Sequence, residues 1–352
     1  MKIEIHKLQV ARRVVQLTVV FLLLALPLIS RYSNYMSARE IDKHLGRWDG
    51  TLQGQILYAV DATFRALPGG ETERAGEMVR NDKQIQAYTQ GFRGGAWSAE
   101  IAGISMSDPM AAVESIVARK KIVKVVLISL IVPVIATLLF GRIFCSWICP
   151  MGLFLEMTDK LRRALKFLEI RPMDVQFERG TKYALLAIGL VMAAVLSVPI
   201  LGYIYPPAII SREAHDFVFG LFDRAEQGRF GFWAGGLTWM SLIIGGIAAF
   251  EIFVSRRWWC RYMCPGGGLY SLIGFLRPVR MKLVQKNCTH CGDCVVACPV
   301  GLNPMMNRMG IECDNCGECL SHCHDDALTY TLWPPGRERV GTQIVNNILV
   351  GK

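Results

Sequence analysis

Two long runs without a single charge limit what this chain can fold into: Tyr183 to Ile204, 22 residues, and Phe230 to Phe250, 21 residues. A helix needs about 20 apolar residues to cross a bilayer, where only internal hydrogen bonding satisfies the backbone. Val14 to Ile29 and Val125 to Phe140 add 16 uncharged residues each. Arg12, Arg13 and Lys124 extend these two, because long basic side chains snorkel to the headgroups. The reading is an all-α membrane part with four transmembrane helices. Composition agrees, since 52% of residues are hydrophobic and only 19% charged, against roughly 25% charged in soluble chains. Disordered, collagen-like and disulfide-stapled classes are excluded on the same ground. The first run is an uncleaved anchor, because Ile29-Ser30-Arg31-Tyr32 offers no small-x-small cleavage site.

Orientation follows from basic residues in short loops, which are retained on the cytoplasmic side. Arg142, Lys160, Arg162, Arg163, Lys166, Arg171, Arg179 and Lys182 lie between the second and third runs, and Arg256, Arg257, Arg261, Arg277, Arg280, Lys282 and Lys286 follow the fourth. Between the third and fourth runs only Arg212, Arg224 and Arg229 occur. Both termini are therefore expected inside, in a bacterial inner membrane. The net charge of 39 − 29 = +10 is explained by this topology and by anionic lipid, which leaves a nucleic-acid role without support. Residues 31–121 form an external segment whose glycine breaks suggest short helices or turns in a small covering domain.

All twelve cysteines fall into four groups. Cys288-x2-Cys291-x2-Cys294-x3-Cys298-Pro299 and Cys313-x2-Cys316-x2-Cys319-x3-Cys323 have the bacterial two-cluster ferredoxin spacing, in which the fourth cysteine of each run ligates the other cluster. That assigns Cys288, Cys291, Cys294 and Cys323 to one 4Fe-4S centre, and Cys313, Cys316, Cys319 and Cys298 to another. Zinc ribbons space their cysteine pairs differently, and a reducing compartment disfavours disulfides. A small α+β two-cluster ferredoxin domain is expected over residues 281–333.

The other two groups, Cys145-x3-Cys149-Pro150 and Cys260-x3-Cys264-Pro265, just past the second and fourth runs, are copies. A shift of 115 residues aligns Arg142 with Arg257, each cysteine with its counterpart, and Gly152 with Gly267. This reads as a duplicated two-helix hairpin, each half delivering one elbow to the same face. The four thiols are candidates for a third metal centre or cluster, a redox dithiol, thiols lining a quinone pocket, or merely buried side chains.

These motifs, with Phe144, Trp259, Gly267, Leu269-Tyr270 and Asp108-Pro109, make the chain resemble the membrane ferredoxin-type quinol dehydrogenase subunits of the NapH group over roughly residues 104–332. Membrane polyferredoxins of the NosR kind and assembly ferredoxins share the elbows and the cluster runs. The resemblance implies oxidation of membrane quinol and electron transfer through iron-sulfur centres toward a periplasmic respiratory reductase. A periplasmic or membrane-anchored ferredoxin or c-type cytochrome would be the intermediate partner. The alternative it implies is a membrane reductase that serves metalloenzyme maturation.

No histidine lies in the four runs and no C-x2-C-H occurs, so neither paired-histidine nor covalent haem is expected. Glu251, the acidic group at the end of the fourth run, is a candidate proton acceptor, with an interfacial pair to Arg256 or Arg257 as the plainer reading. Arg142 and Arg257 read as snorkelling arginines, and Trp147, Trp258 and Trp259 as belt aromatics. The expected organisation is 1–30, N-terminus and first span; 31–121, periplasmic segment; 122–182, second span and first elbow; 183–254, third span, loop and fourth span; 255–280, second elbow; 281–333, ferredoxin domain; and 334–352, tail.

Overall fold

The structure, a computed structural model, describes residues 5–332 apart from 75, 96–97, 102–103, 170–171, 174, 233–237 and 307–308. The tail 334–352 and Arg171 lie outside the described residues. The chain is mostly helical, in the order α1 (Ile5–Ala38), α2 (Ile41–Arg47), α3 (Leu52–Arg65), β1 (Glu71–Arg74), β2 (Glu77–Arg80), α4 (Asp82–Gln90), β3 (Phe92–Gly95), β4 (Ser98–Ile101), β5 (Ile104–Ser107) and α5 (Pro109–Arg119). There follow α6 (Lys124–Phe140), α7 (Ile143–Trp147), α8 (Pro150–Phe167), α9 (Thr181–Leu196), α10 (Pro206–Glu226), α11 (Trp239–Phe253), α12 (Pro265–Ile273), β6 (Val279–Leu283), α13 (Asp293–Ala297), α14 (Glu318–Ser321) and β7 (Leu328–Leu332).

The chain divides into two compact units, one of residues 1–19, 108–208 and 244–352, the other of 20–107 and 209–243. In the second unit the core is aromatic: Tyr32, Tyr35, Trp48, Phe64 and Phe222 are buried together with Leu57 and Ile85. Two antiparallel sheets, β1-β2 and β3-β4-β5, accompany the helices. Tyr32 donates to Asp61 at 2.6 Å, which satisfies the one polar end of an otherwise apolar ring. The unit thus reaches beyond a 31–121 boundary, and residues 108–119 belong to the other unit.

In the first unit the apolar helices keep much of their hydrocarbon surface exposed, with Val125 at 63%, Ile128 at 66% and Val195 at 73%. Contiguous apolar exposure of this kind marks a surface meant for something other than water. Among the described residues only α1 is long enough by itself to cross a bilayer, while α6, α9 and α11 have 17, 16 and 15 residues.

The run from Tyr183 to Ile204 is not one helix. It stops at Leu196, where Ser197 adopts a left-handed φ of 56°, and Pro199 follows. The chain then doubles back until Leu201 packs on Gly189, where a Cβ would stand 2.2 Å from the leucine. Glu114 of α5 holds the turn by accepting from the amides of Leu201 and Gly202, at 2.5 and 3.1 Å. An apolar stretch folded on itself has the same composition as a straight span, which is why the turn escapes a hydropathy reading. The fourth run differs too, since α11 begins only at Trp239 and carries Glu251 inside its last turn.

Residues 279–332 form a compact α+β domain of ferredoxin type. Strands β6 and β7 pair antiparallel with Met281 opposite Tyr330, and α13 and α14 carry cysteines between them. Gly292 and Gly317 precede these helices at φ 91° and 75°, a conformation that glycine takes without strain.

Candidate iron-sulfur and thiol sites

Three groups of thiols are built in the first unit. Burial first, and then the nearby Cys323, Cys291 and Cys288, raise the Cys294 thiol above its ordinary value. Cys323 thus stands with the first run. In the second group burial, Cys313 and Cys298 raise Cys319, while Cys298, Cys313, Cys316 and Cys319 together line a cavity of about 20 Å³. The fourth cysteine of each run therefore sits with the other run's first three. The amide of Leu302 donates to Cys298 Sγ and that of Ala327 to Cys323 Sγ, both at 3.3 Å. Cys291 is exposed whereas Cys316 and Cys319 are buried, so the first group is the one nearer solvent.

The elbows form the third group. Each elbow closes by a wide turn in which the second cysteine's amide donates five residues back: Cys149 to the Phe144 carbonyl and Cys264 to the Trp259 carbonyl, both at 2.8 Å. The next residue is proline at the start of α8 or α12, suited to a helix position that needs no N–H. Cys145, Cys149, Cys260 and Cys264 line one cavity of about 30 Å³ with Asp108, Arg142, Phe144, Tyr205 and Tyr270. Burial raises all four thiols, Cys264 to about 12. Next after burial, Cys149 feels Cys145 and Cys264, and Cys260 feels Cys264 and Cys149. The duplicated halves thus bring their thiols together.

Asp108 is a site residue that sequence reasoning left without a role. Its Oδ1 caps α5 by accepting from Met110 N at 2.7 Å, and its Oδ2 accepts from Tyr205 and Tyr270 hydroxyls at 2.5 and 2.6 Å. Burial pushes this carboxyl up against those hydrogen bonds. Asp108-Pro109 entered the sequence reading only through the family resemblance, and its tyrosine partners lie 97 and 162 residues away.

The arginines expected to snorkel are buried. Arg142, 2% exposed, donates to Glu312 Oε2 at 2.6 Å, to the Glu312 carbonyl at 3.1 Å and to the Cys260 carbonyl at 3.4 Å. Lys182 and Tyr183 also bond Glu312. Although burial pushes Glu312 up, Arg142 and Lys182 hold it below the usual carboxylate range. Arg257 pairs with Asp159 at 3.1 Å and Glu156 at 3.8 Å. Long-range carboxylates, invisible in a local count of basic residues, took these side chains away from the headgroup position.

Glu251 is 2% exposed. Its Oε1 accepts from Trp259 N at 2.8 Å, and its Oε2 is buried without a hydrogen-bond partner. The expected pair with Arg256 or Arg257 is replaced by pairs of both arginines to Asp159. Trp258 packs 4.5 Å from Phe250 and 5.7 Å from Trp259, and Trp147 and Trp259 bury their indole nitrogens without a partner. All three tryptophans are half-buried.

A family model described as a 4Fe-4S binding domain matches residues 123–167 and 236–283, the two elbow regions. The ferredoxin-type protein NapH of Haemophilus influenzae is 26% identical over 240 residues, covering 65% of this chain and 76% of the relative. Over that stretch the chain is similar to NapH. NapH of Escherichia coli is 25% identical, covering 66% of this chain and 77% of the relative. The methylamine utilization ferredoxin-type protein MauN of Methylorubrum extorquens is 29% identical, covering 62% and 70%. No solved structure matches. Together the likeness and the cysteine groups support an iron-sulfur electron-transfer protein.

Proposed function

We propose that this NapH-like chain is a four-span inner-membrane subunit that oxidises quinol and passes the electrons toward a periplasmic respiratory reductase, through a ferredoxin or c-type cytochrome partner. The observation that carries the electron-transfer part is the crossed grouping of thiols, with Cys323 beside Cys288, Cys291 and Cys294, and Cys298 beside Cys313, Cys316 and Cys319. These are the ligands for two 4Fe-4S clusters, which when bound supply one-electron carriers. Backbone amides on Cys298 and Cys323 direct positive dipoles at the sulfurs and set the local potential.

Both termini and the ferredoxin domain face the cytoplasm in this reading, supported by the basic residues around the elbows. The exposed apolar sides of α1, α6, α9 and α11 face lipid, with the short helices matched by a locally thinned bilayer.

Quinol loses two electrons and two protons on oxidation, so proton acceptors are needed beside the electron carriers. Glu251 fits that task, because its Oε2 is buried and unpartnered and buried ionisable groups in a membrane protein mark function. Protein purified anaerobically in detergent is reduced by a quinol analogue while the cluster signals are followed by EPR. Glu251→Gln slows reduction by about tenfold or more, within the 10²–10⁴ span of general acid-base contributions or just below it. An unchanged rate retires Glu251. Intact clusters that ignore quinol altogether retire the dehydrogenase reading in favour of a maturation reductase.

A further inference from the structure

We propose that Arg12, Arg261 and Arg277 are positioning residues for electron transfer, a buried cage of positive charge that favours the reduced state of the second cysteine group. The inference rests on the assignment, made above, of a 4Fe-4S cluster to Cys298, Cys313, Cys316 and Cys319. The three arginines come from separate parts of the chain: the start of α1, the second elbow, and the segment between α12 and β6.

Each guanidinium is aimed at the backbone of a cysteine of this group or of its neighbour. Arg12 donates to the Cys316 carbonyl at 3.3 Å. Arg277 donates to the Cys313 carbonyl at 2.6 Å and to the Gly310 carbonyl at 2.8 Å. Arg261 donates twice to the carbonyl of Pro299, next to Cys298, at 3.2 and 3.0 Å. They are 1%, 3% and 6% exposed, so salt and water screen them little. The backbone also leaves space for two of them. At Gly141 a Cβ would stand 2.4 Å from Arg277 Nη1, and at Gly301 it would stand 2.9 Å from Arg261 Cζ. Their charge is felt at sulfur. Burial raises the Cys313 thiol to about 11 with Arg277 acting against it, and Arg261 acts against burial at Cys298.

Reduction adds one negative charge to a thiolate-ligated cluster, and burial opposes a charge that lacks a partner. Fixed cations offset that penalty. Asp314 works the other way, raising all four thiols of the group, and Glu156 and Glu318 balance part of Arg12. Arg277 gives both Nη atoms to carbonyls rather than carboxylates, so its charge is the one left uncancelled. The first group is surrounded differently. Asp293, beside Cys294, is 52% exposed, and Asp325, which accepts from Thr289, is exposed as well. Arg256 donates to the Val296 carbonyl at 2.9 Å but is 28% exposed and paired with Asp159.

The test is a potentiometric titration of full-length protein purified anaerobically in detergent, with the ferredoxin-type clusters followed by EPR and iron measured alongside. A unit charge roughly 10 Å from an electron carrier shifts its equilibrium by about tenfold at an effective dielectric constant of about 20. Arg277→Gln is therefore expected to lower the reduced-to-oxidised ratio of one cluster about tenfold at a fixed potential, about 59 mV for one electron. The other cluster stays where it was, and Cys291→Ser marks its signal as that of the first group. Arg12→Gln and Arg261→Gln shift the same cluster in the same direction. Arg277→Lys, which keeps the charge, stays close to the parent, and Lys282→Gln, which removes an exposed charge of the same domain, shifts neither cluster. Parent-like potentials in Arg277→Gln, or equal shifts of both clusters, overturn the proposal. Loss of the second cluster's iron in all three glutamine variants overturns it too, by making the arginines structural. A parent protein without two such clusters overturns the assignment itself, and the cage with it.

Discussion

Replacing Glu312 with glutamine removes one negative charge from a site that holds two positive ones. Arg142 and Lys182 leave 2% and 0% of their side chains exposed, and Glu312 leaves 6%, so water does not compensate the loss. The local charge rises from +1 to +2 while the volume stays the same. Removing one partner of a buried ion pair costs about 3–5 kcal/mol, and each kcal/mol shifts the melting temperature of a domain of 150–250 residues by about 2–4 °C. Glu312→Gln is therefore expected to melt about 6–20 °C below the parent, measured in detergent by far-ultraviolet circular dichroism and by bleaching of the iron-sulfur colour.

A second variant separates charge from packing. Adding Lys182→Met to Glu312→Gln returns the local charge to +1, so part of the lost stability returns and the two changes are strongly non-additive. Glu312 sits below its ordinary 4.5 through Arg142 and Lys182 acting against burial. Its contribution is complete above about pH 4.5 and lost as the pH falls through the lower folded value. The difference between parent and Glu312→Gln should then be flat near neutrality. A variant that melts within about 2 °C of the parent, or a double variant that is worse than the sum of the singles, refutes the reasoning.

Acidification is expected to weaken the unit of residues 20–107 and 209–243. His44 is 3% exposed between Tyr35 and Trp48, 4.4 Å from each ring, with both nitrogens lacking a hydrogen bond. Burial lowers its pKa from 6.5 against the pull of Glu226 and Glu40, so the unfolded chain binds the proton first and stability falls as the pH drops below about 6.5. Protease resistance of this unit at about pH 7.5 and 5.5 checks it, and His44→Phe should abolish the difference. At Gly274 an added Cβ meets the Gly141 Cα at 2.6 Å, so Gly274→Ala is expected to cost about 1–3 kcal/mol. Gly245, inside α11 with nothing within 4 Å of its Cβ position, is the matched control, and its alanine variant should be neutral or slightly stabilising in thermal melts.

What was legible in the sequence is what spacing determines. Cys298 lines one cavity with Cys313, Cys316 and Cys319, and the shift of 115 residues reappears as a wide turn at each of Cys149 and Cys264. Apolar composition was less informative, because it reports burial from water without reporting direction. Tyr183 to Ile204 reads as one span, yet Ser197 and Pro199 turn it back on itself to seat Leu201 against Gly189. Lys182 was counted as a loop charge, and Arg142 and Arg257 as snorkelling arginines. Their partners, 130, 170 and 98 residues away, lie beyond any local pattern.

The two halves of the duplication have used their aligned arginines differently. Arg257 turns to Asp159 and Glu156 on α8, tying the second half to the first. Arg142, its counterpart, turns to Glu312 and holds the start of the second cysteine run. The same divergence appears at the aromatic positions, where Phe144 stacks on Tyr270 at 5.6 Å while Trp259 packs on Trp258. The duplication supplies four thiols that line one cavity, and Arg142 and Ser146 of the first half hold residues 312 and 314 of the second cysteine run.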